Sequence, residues 1–147
     1  MKKITILFVM LLMTVLATNN VFAQTSIIGK WKFNTIDLKP VAGKKFTPEQ
    51  AKSATESKKA MLPRFEGTIW VFDENALTMT DGSDKNKEYV RTSDYTFDES
   101  KSQISISEGG RKIEWSAKIK GNQLIIEMSG GGDKSGIGKI VQIFDKQ

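Results

Sequence analysis

The chain has 147 residues, with 22 Lys and Arg against 17 Asp and Glu and a net charge of +5 at pH 7. It contains no Cys and no His. That excludes disulfides and thiol chemistry, and removes both the commonest general base and the commonest metal ligand. The positive excess is small and scattered, too mild for a nucleic-acid-binding surface.

Met1-Lys2-Lys3 begins the chain with positive charge, and Ile4 to Ala17 is an apolar run broken only by Thr5 and Thr14. Val21-Phe22-Ala23 then offers small residues where a signal peptidase needs them. The run is too short to span a bilayer. Residues 1–23 therefore read as a signal peptide, cut between Ala23 and Gln24. Cleavage leaves 124 residues with a net charge of +3, enough for one domain with one core. The expectation is an exported protein, periplasmic or secreted. Without a Cys to carry a lipid, it has no stable membrane anchor after cleavage.

The first strand is expected at 28–37. Trp31, Phe33 and Thr35 alternate with Lys30, Lys32 and Asn34, the period of a half-buried strand. Thr47-Pro48-Glu49-Gln50 then carries a helix start: a capping Thr, Pro at the first helical position and Gln at the capping-box position. The helix should stop at about Leu62, before Pro63. Its apolar side is thin, limited to Ala51, Ala54, Met61 and Leu62, so it should lie on a surface. The rest reads as strands at 68–72, 77–80, 89–97, 103–107, 112–119, 124–128 and 137–144. The Gly109-Gly110 and Gly130-Gly131-Gly132 runs precede no helix, so they mark loops and not phosphate-binding turns.

Hairpin registers test this reading, because residues paired across antiparallel strands share a face. A Glu74-Asn75 turn sets Phe72 opposite Leu77 and Trp70 opposite Met79. A Gly121-Asn122 turn sets Ile119 opposite Leu124, Ala117 opposite Ile126 and Trp115 opposite Met128. A Glu99-Ser100 turn sets Tyr95 opposite Ile104, but leaves Phe97 facing Ser102. A loop from Glu108 to Arg111 sets Ile106 opposite Ile113 and Ile104 opposite Trp115. The pairings agree on an up-and-down meander. Its three tight turns share one end, and the helix and the longer connections share the other. One end of the barrel should be closed, and the other an open mouth suited to a ligand.

Gly29-Lys30-Trp31 is similar to the Gly-X-Trp signature of lipocalins, in its place on a first strand. With the leader, the helix and the later short strands, the chain resembles the small secreted bacterial lipocalin-like proteins of the calycin superfamily. The resemblance implies an all-β, eight-stranded antiparallel up-and-down barrel with one α-helix between its first and second strands. It also implies an apolar ligand inside, and a signature Trp packed at the closed end beneath a basic side chain from near the last strand. Arg91 and Arg111 are not on that strand, so Lys146 or Lys139 would take the place. Thr92-Ser93-Asp94-Tyr95 is an imperfect echo of the Thr-Asp-Tyr motif of lipocalins, on a different strand.

The register places Trp70, Met79, Tyr89, Arg91, Trp115, Met128, Ile137 and Lys139 on the inward face near the mouth. Aromatic and Met side chains make an adaptable apolar wall. An inward guanidinium needs an acceptor. A ligand carboxylate could supply one to Arg91, or Asp81, Asp84 or Glu88 could pair with it. The same aromatics could instead simply fill a small core. The Asp81-Gly82-Ser83-Asp84 spacing lacks the alternate-ligand pattern of a calcium loop, so no metal or other cofactor is expected. The leading expectation is a binding protein for a small hydrophobic or amphipathic ligand, held by Trp70, Met79, Tyr89, Arg91, Trp115, Met128 and Lys139. The alternative is a solid barrel that binds another envelope protein through its loops or through Lys52, Lys58, Lys59 and Arg64. No catalytic residues are assigned, because no inward carboxylate pair is visible to replace the missing His and Cys.

Overall fold

The computed structural model describes residues 26–82, 89–131 and 136–147. The expected signal peptide and its cleavage site lie outside the described residues. Among those described, eight antiparallel strands close into a barrel in chain order. They are β1 (Gly29–Pro40), β2 (Ile69–Phe72), β3 (Ala76–Asp81), β4 (Tyr89–Asp98), β5 (Gln103–Glu108), β6 (Arg111–Lys120), β7 (Gln123–Ser129) and β8 (Ile137–Lys146), and β8 pairs back onto β1. One helix, α1 (Pro48–Phe65), lies between β1 and β2.

Alternation decides which side chains fill the barrel. Trp31, Phe72, Leu77, Ile104, Leu124, Ile126 and Phe144 are fully buried, one after another around the wall. The tight turns at Glu74-Asn75 and Gly121-Asn122 are present, and they set Trp70 opposite Met79, Phe72 opposite Leu77, Ala117 opposite Ile126 and Ile119 opposite Leu124. The β6–β7 ladder begins at Ser116 and Glu127, one pair short of Trp115 and Met128.

Two connections differ from the sequence reading. The β4–β5 turn spans four residues, with Asp98 paired to Gln103. The Asp98 carboxylate accepts from Ser100 Oγ and the Lys101 amide, and Ser102 takes a left-handed conformation, φ 51°. Tyr95 therefore faces Ile106 and Phe97 faces Ile104. A slip of two residues keeps every side chain on its expected face, so the core is unchanged. At the mouth, Glu108 pairs with Arg111, which makes the β5–β6 connection a two-residue Gly109-Gly110 turn. Both glycines have positive φ, 56° and 76°, the combination that matches hairpin twist. The pairs Ile106–Ile113 and Ile104–Trp115 are as expected.

β1 departs most. A bulge at Asn34 shifts its register against β8, between Phe33 and Thr35. Trp31 and Phe33 point inward, but beyond the bulge Ile36 and Leu38 take that face and Thr35 leaves it. The Asn34 amide donates to Asp145 on β8 at 2.5 Å, holding the bulge. β1 also parts from β2: their ladder covers only Gly29 to Lys32, extended by one hydrogen bond from the Phe33 amide to Thr68.

α1 packs along β1 beside that opening. Thr47 and Gln50 form the reciprocal capping box. The helix runs past Pro63 to Phe65, contrary to the expected stop at Leu62. A proline costs a helix one hydrogen bond and one steric adjustment. Here the last turn carries Met61, Leu62 and Phe65 onto the core, and the Phe65 ring meets Phe33 at 5.4 Å. The helix is seated by glycines. A Cβ on Gly136 would lie 2.6 Å from Gln50 Nε2, and one on Gly82 would lie 2.5 Å from the carbonyl carbon of Gly67, just after the helix.

The closed end has its own glycine. Gly29 has φ 133°, and a Cβ there would touch Lys146 Cε at 3.4 Å. Only glycine takes that backbone without strain, and it leaves room for Lys146 to reach over Trp31, with Nζ 5.3 Å from the ring centroid. The Trp31 indole donates to the Ile27 carbonyl at 2.7 Å. The basic residue expected over this Trp is therefore Lys146 and not Lys139.

Candidate functional site

The other end of the barrel is not filled. A cavity of about 300 Å³ lies between the barrel wall and the last turns of α1. It is walled by Trp70, Met79, Trp115, Met128 and Ile140 from the strands, and by Met61 and Phe65 from the helix. Thr68, Thr80, Asp81, Arg91 and Gln142 are its polar contributors. Trp70 and Trp115 stack at 5.9 Å with planes 22° apart, and Trp70 also packs on Phe144 at 4.6 Å. These rings are braced from below by the core, so the wall they present is rigid, while Met61, Met79 and Met128 supply adaptable surface.

The sequence-derived candidates divide as follows. Trp70, Met79, Arg91, Trp115 and Met128 come together around this cavity. Tyr89 is paired with Asp81 in the β3–β4 ladder, but its side chain lies outside the described residues, as do Asp84 and Glu88. Lys139 does not face the barrel interior. Its ammonium sits on Glu127 at 2.6 Å, on the outer surface, with Lys39 at 3.8 Å from the same carboxylate. The hydrogen bond from Lys139 holds the Glu127 carboxyl below its ordinary pKa, against a smaller opposing effect of burial. The inward face of β8 is instead Ile140, Gln142 and Phe144. Apolar residues occupy both parities of Ile137–Phe144, so alternation alone misassigned Lys139.

Arg91 reaches the rim. Its guanidinium bonds Glu108 on β5 at 3.2 Å, and both side chains are exposed, 52% and 39%. An exposed pair of this kind contributes little to stability. Among the described residues, the acceptor of Arg91 is thus Glu108 in the barrel wall.

Met61, Phe65, Thr68, Ile140 and Gln142 were missed. Met61 and Phe65 are four apart on a helix whose half-buried or buried positions run Gln50, Ala54, Ser57, Lys58, Met61, Leu62, Phe65. That stripe follows helical spacing, and extending the helix through Pro63 would have revealed it. Gln142 is a polar residue on the inward parity of β8, between Ile140 and Phe144, and it is only 4% exposed.

The site's described surface is predominantly apolar, with amide and hydroxyl groups inside and ionic groups at the rim. No known family model matches the chain, and no curated protein matches it.

Proposed function

We propose that the protein is an exported, lipocalin-like binding protein for a small, mainly apolar ligand held under α1 at the open end of the barrel. The observation that carries this reading is the apolar cavity of about 300 Å³ between Trp70, Trp115, the three methionines and Phe65. Its volume is at the lower end of the range for small-molecule pockets, about 300–1,000 Å³, which suits a compact ligand and not a long acyl chain. Export is supported by the leader at 1–23. The lipocalin-like assignment is supported by Gly29-Lys30-Trp31, with its cation above the Trp and its barrel closed in chain order.

Organic extraction of protein purified from its native envelope, followed by mass spectrometry, tests the reading directly. A stoichiometric small molecule is expected, together with quenching or a spectral shift of Trp70 and Trp115 when an emptied barrel is refilled. A protein that carries nothing and leaves its tryptophans unchanged with lipophilic probes would sink it. The competing reading, a partner-binding barrel using Lys52, Lys58, Lys59 and Arg64, has less support, because Lys58 is already 3.9 Å from Asp37 of β1.

A further inference from the structure

Gln142 is the most buried of the polar side chains around the cavity, 4% exposed. Its ladder partners are Ile36 on β1 and Ile126 on β7, both fully buried. Cross-strand partners share a face, so Gln142 sits at the inner end of the cavity, one inward position above Phe144. Its carboxamide makes no hydrogen bond to any other described residue, yet among the described residues no fully enclosed side-chain polar atom lacks a partner. The amide is therefore in contact with the cavity space itself. A carboxamide has two donors and two acceptor sites, and leaving it unmatched in an apolar enclosure is unfavourable. Leu, Ile or Met would fill this position with no such cost.

From this we infer that the cavity takes a compact neutral ring compound whose hydroxyl, carbonyl or amide group pairs with the Gln142 carboxamide at the inner end, its apolar body lying against Trp70, Trp115 and Met128. The inference rests on the cavity being a ligand site and adds the ligand's class and orientation. The polar end goes in first, and Met61 and Phe65 close over the apolar end. A ligand anchored by a carboxylate is disfavoured, because Arg91 lies at the rim, half in solvent and already bonded to Glu108. The cavity volume admits one or two fused rings.

Three probes separate the alternatives when titrated into the whole mature protein by NMR: naphthalene, naphthol and naphthoate. Naphthol is expected to bind at least about tenfold tighter than naphthalene, the effect of one buried hydrogen bond. Gln142→Leu and Gln142→Met should each remove that preference, while naphthalene binds as before or better. Arg91→Ala should leave it intact. Melting curves establish that the variants are folded, and the two replacements at Gln142 guard against one of them packing poorly. Equal binding of naphthol and naphthalene by the natural chain, as a merely water-filled polar corner would give, overturns the inference and leaves the binding function standing. So does a preference that survives both Gln142 variants. Tightest binding by naphthoate, lost in Arg91→Ala, overturns it in favour of the rim cation. If none of the three binds, the ligand-site reading fails and this inference fails with it.

Discussion

The two ends of the barrel are built from the same alternating pattern and finish differently. At the closed end, β1 and β2 are hydrogen-bonded, and Trp31, Phe72, Leu77, Leu124 and Phe144 leave no exposed surface. At the mouth, β1 bulges at Asn34 and leaves β2 after Phe33, and a helix stands where strand pairing would continue. A strand neighbour presents an inward residue at every second position, close against the wall. A helix presents only a stripe, and here the stripe is thin along its first half, with Ala54 its one buried residue. The floor is packed because strands face strands. The cavity exists because a helix faces them across the opening.

Four measurements would break or sharpen that contrast. Trp31→Ala should have the largest effect, a loss of about 3–5 kcal/mol in urea unfolding, as expected for deleting a fully buried aromatic; a loss no greater than that of a surface substitution would mean the floor is not the stabilising end. Gly82→Ala should cost less, about 1–3 kcal/mol, because its Cβ meets backbone atoms that cannot swing away. Since the strain falls on the helix seat, hydrogen exchange should quicken in α1 and the neighbouring part of β1 while the floor strands stay protected. Uniform acceleration would show that the two ends unfold as one. Lys146→Met should cost about 0.5–1 kcal/mol with no change at the mouth, read from melting temperature and from the unchanged indole signal of Trp115.

The smallest effect concerns the closed-end turn. Hydrogen bonds from Ser100 and then Lys101 lower the Asp98 pKa from 3.8 to about 2. A depressed carboxylate contributes stability that is fully present above the unfolded value and is lost as pH falls through the folded one. The contribution should therefore fade between about pH 4 and pH 2. Ser100→Ala should move the Asp98 midpoint, followed by carboxyl-carbon NMR, back toward 3.8. An unmoved midpoint would assign the shift to Lys101 alone.

Much of the wall was legible in the residues. Phe72 with Leu77 and Ile119 with Leu124 are locked together by two-residue turns, so local spacing fixes the pairing. The β4–β5 register was misread because the Asp98-centred turn looks like a shorter one until its side-chain hydrogen bonds are known. Lys139 was misplaced because β8 has apolar residues on both parities and its true inward marker, Gln142, is polar. Arg91 was placed correctly near the mouth, but its acceptor came from Glu108, on another strand.

By itself, the sequence determined the strand order, the inward faces of β2 to β7 and the helix start at Thr47, all of which depend on neighbours a few residues apart. Only the tertiary structure decided the Asn34 bulge held by Asp145, the parting of β1 from β2, the seating of α1 on Gly82 and Gly136, and the exposure of the Gln142 amide to the cavity. Each of these depends on contacts between chain segments far apart in the sequence, whose outcome is set by what space remains after the strands have closed.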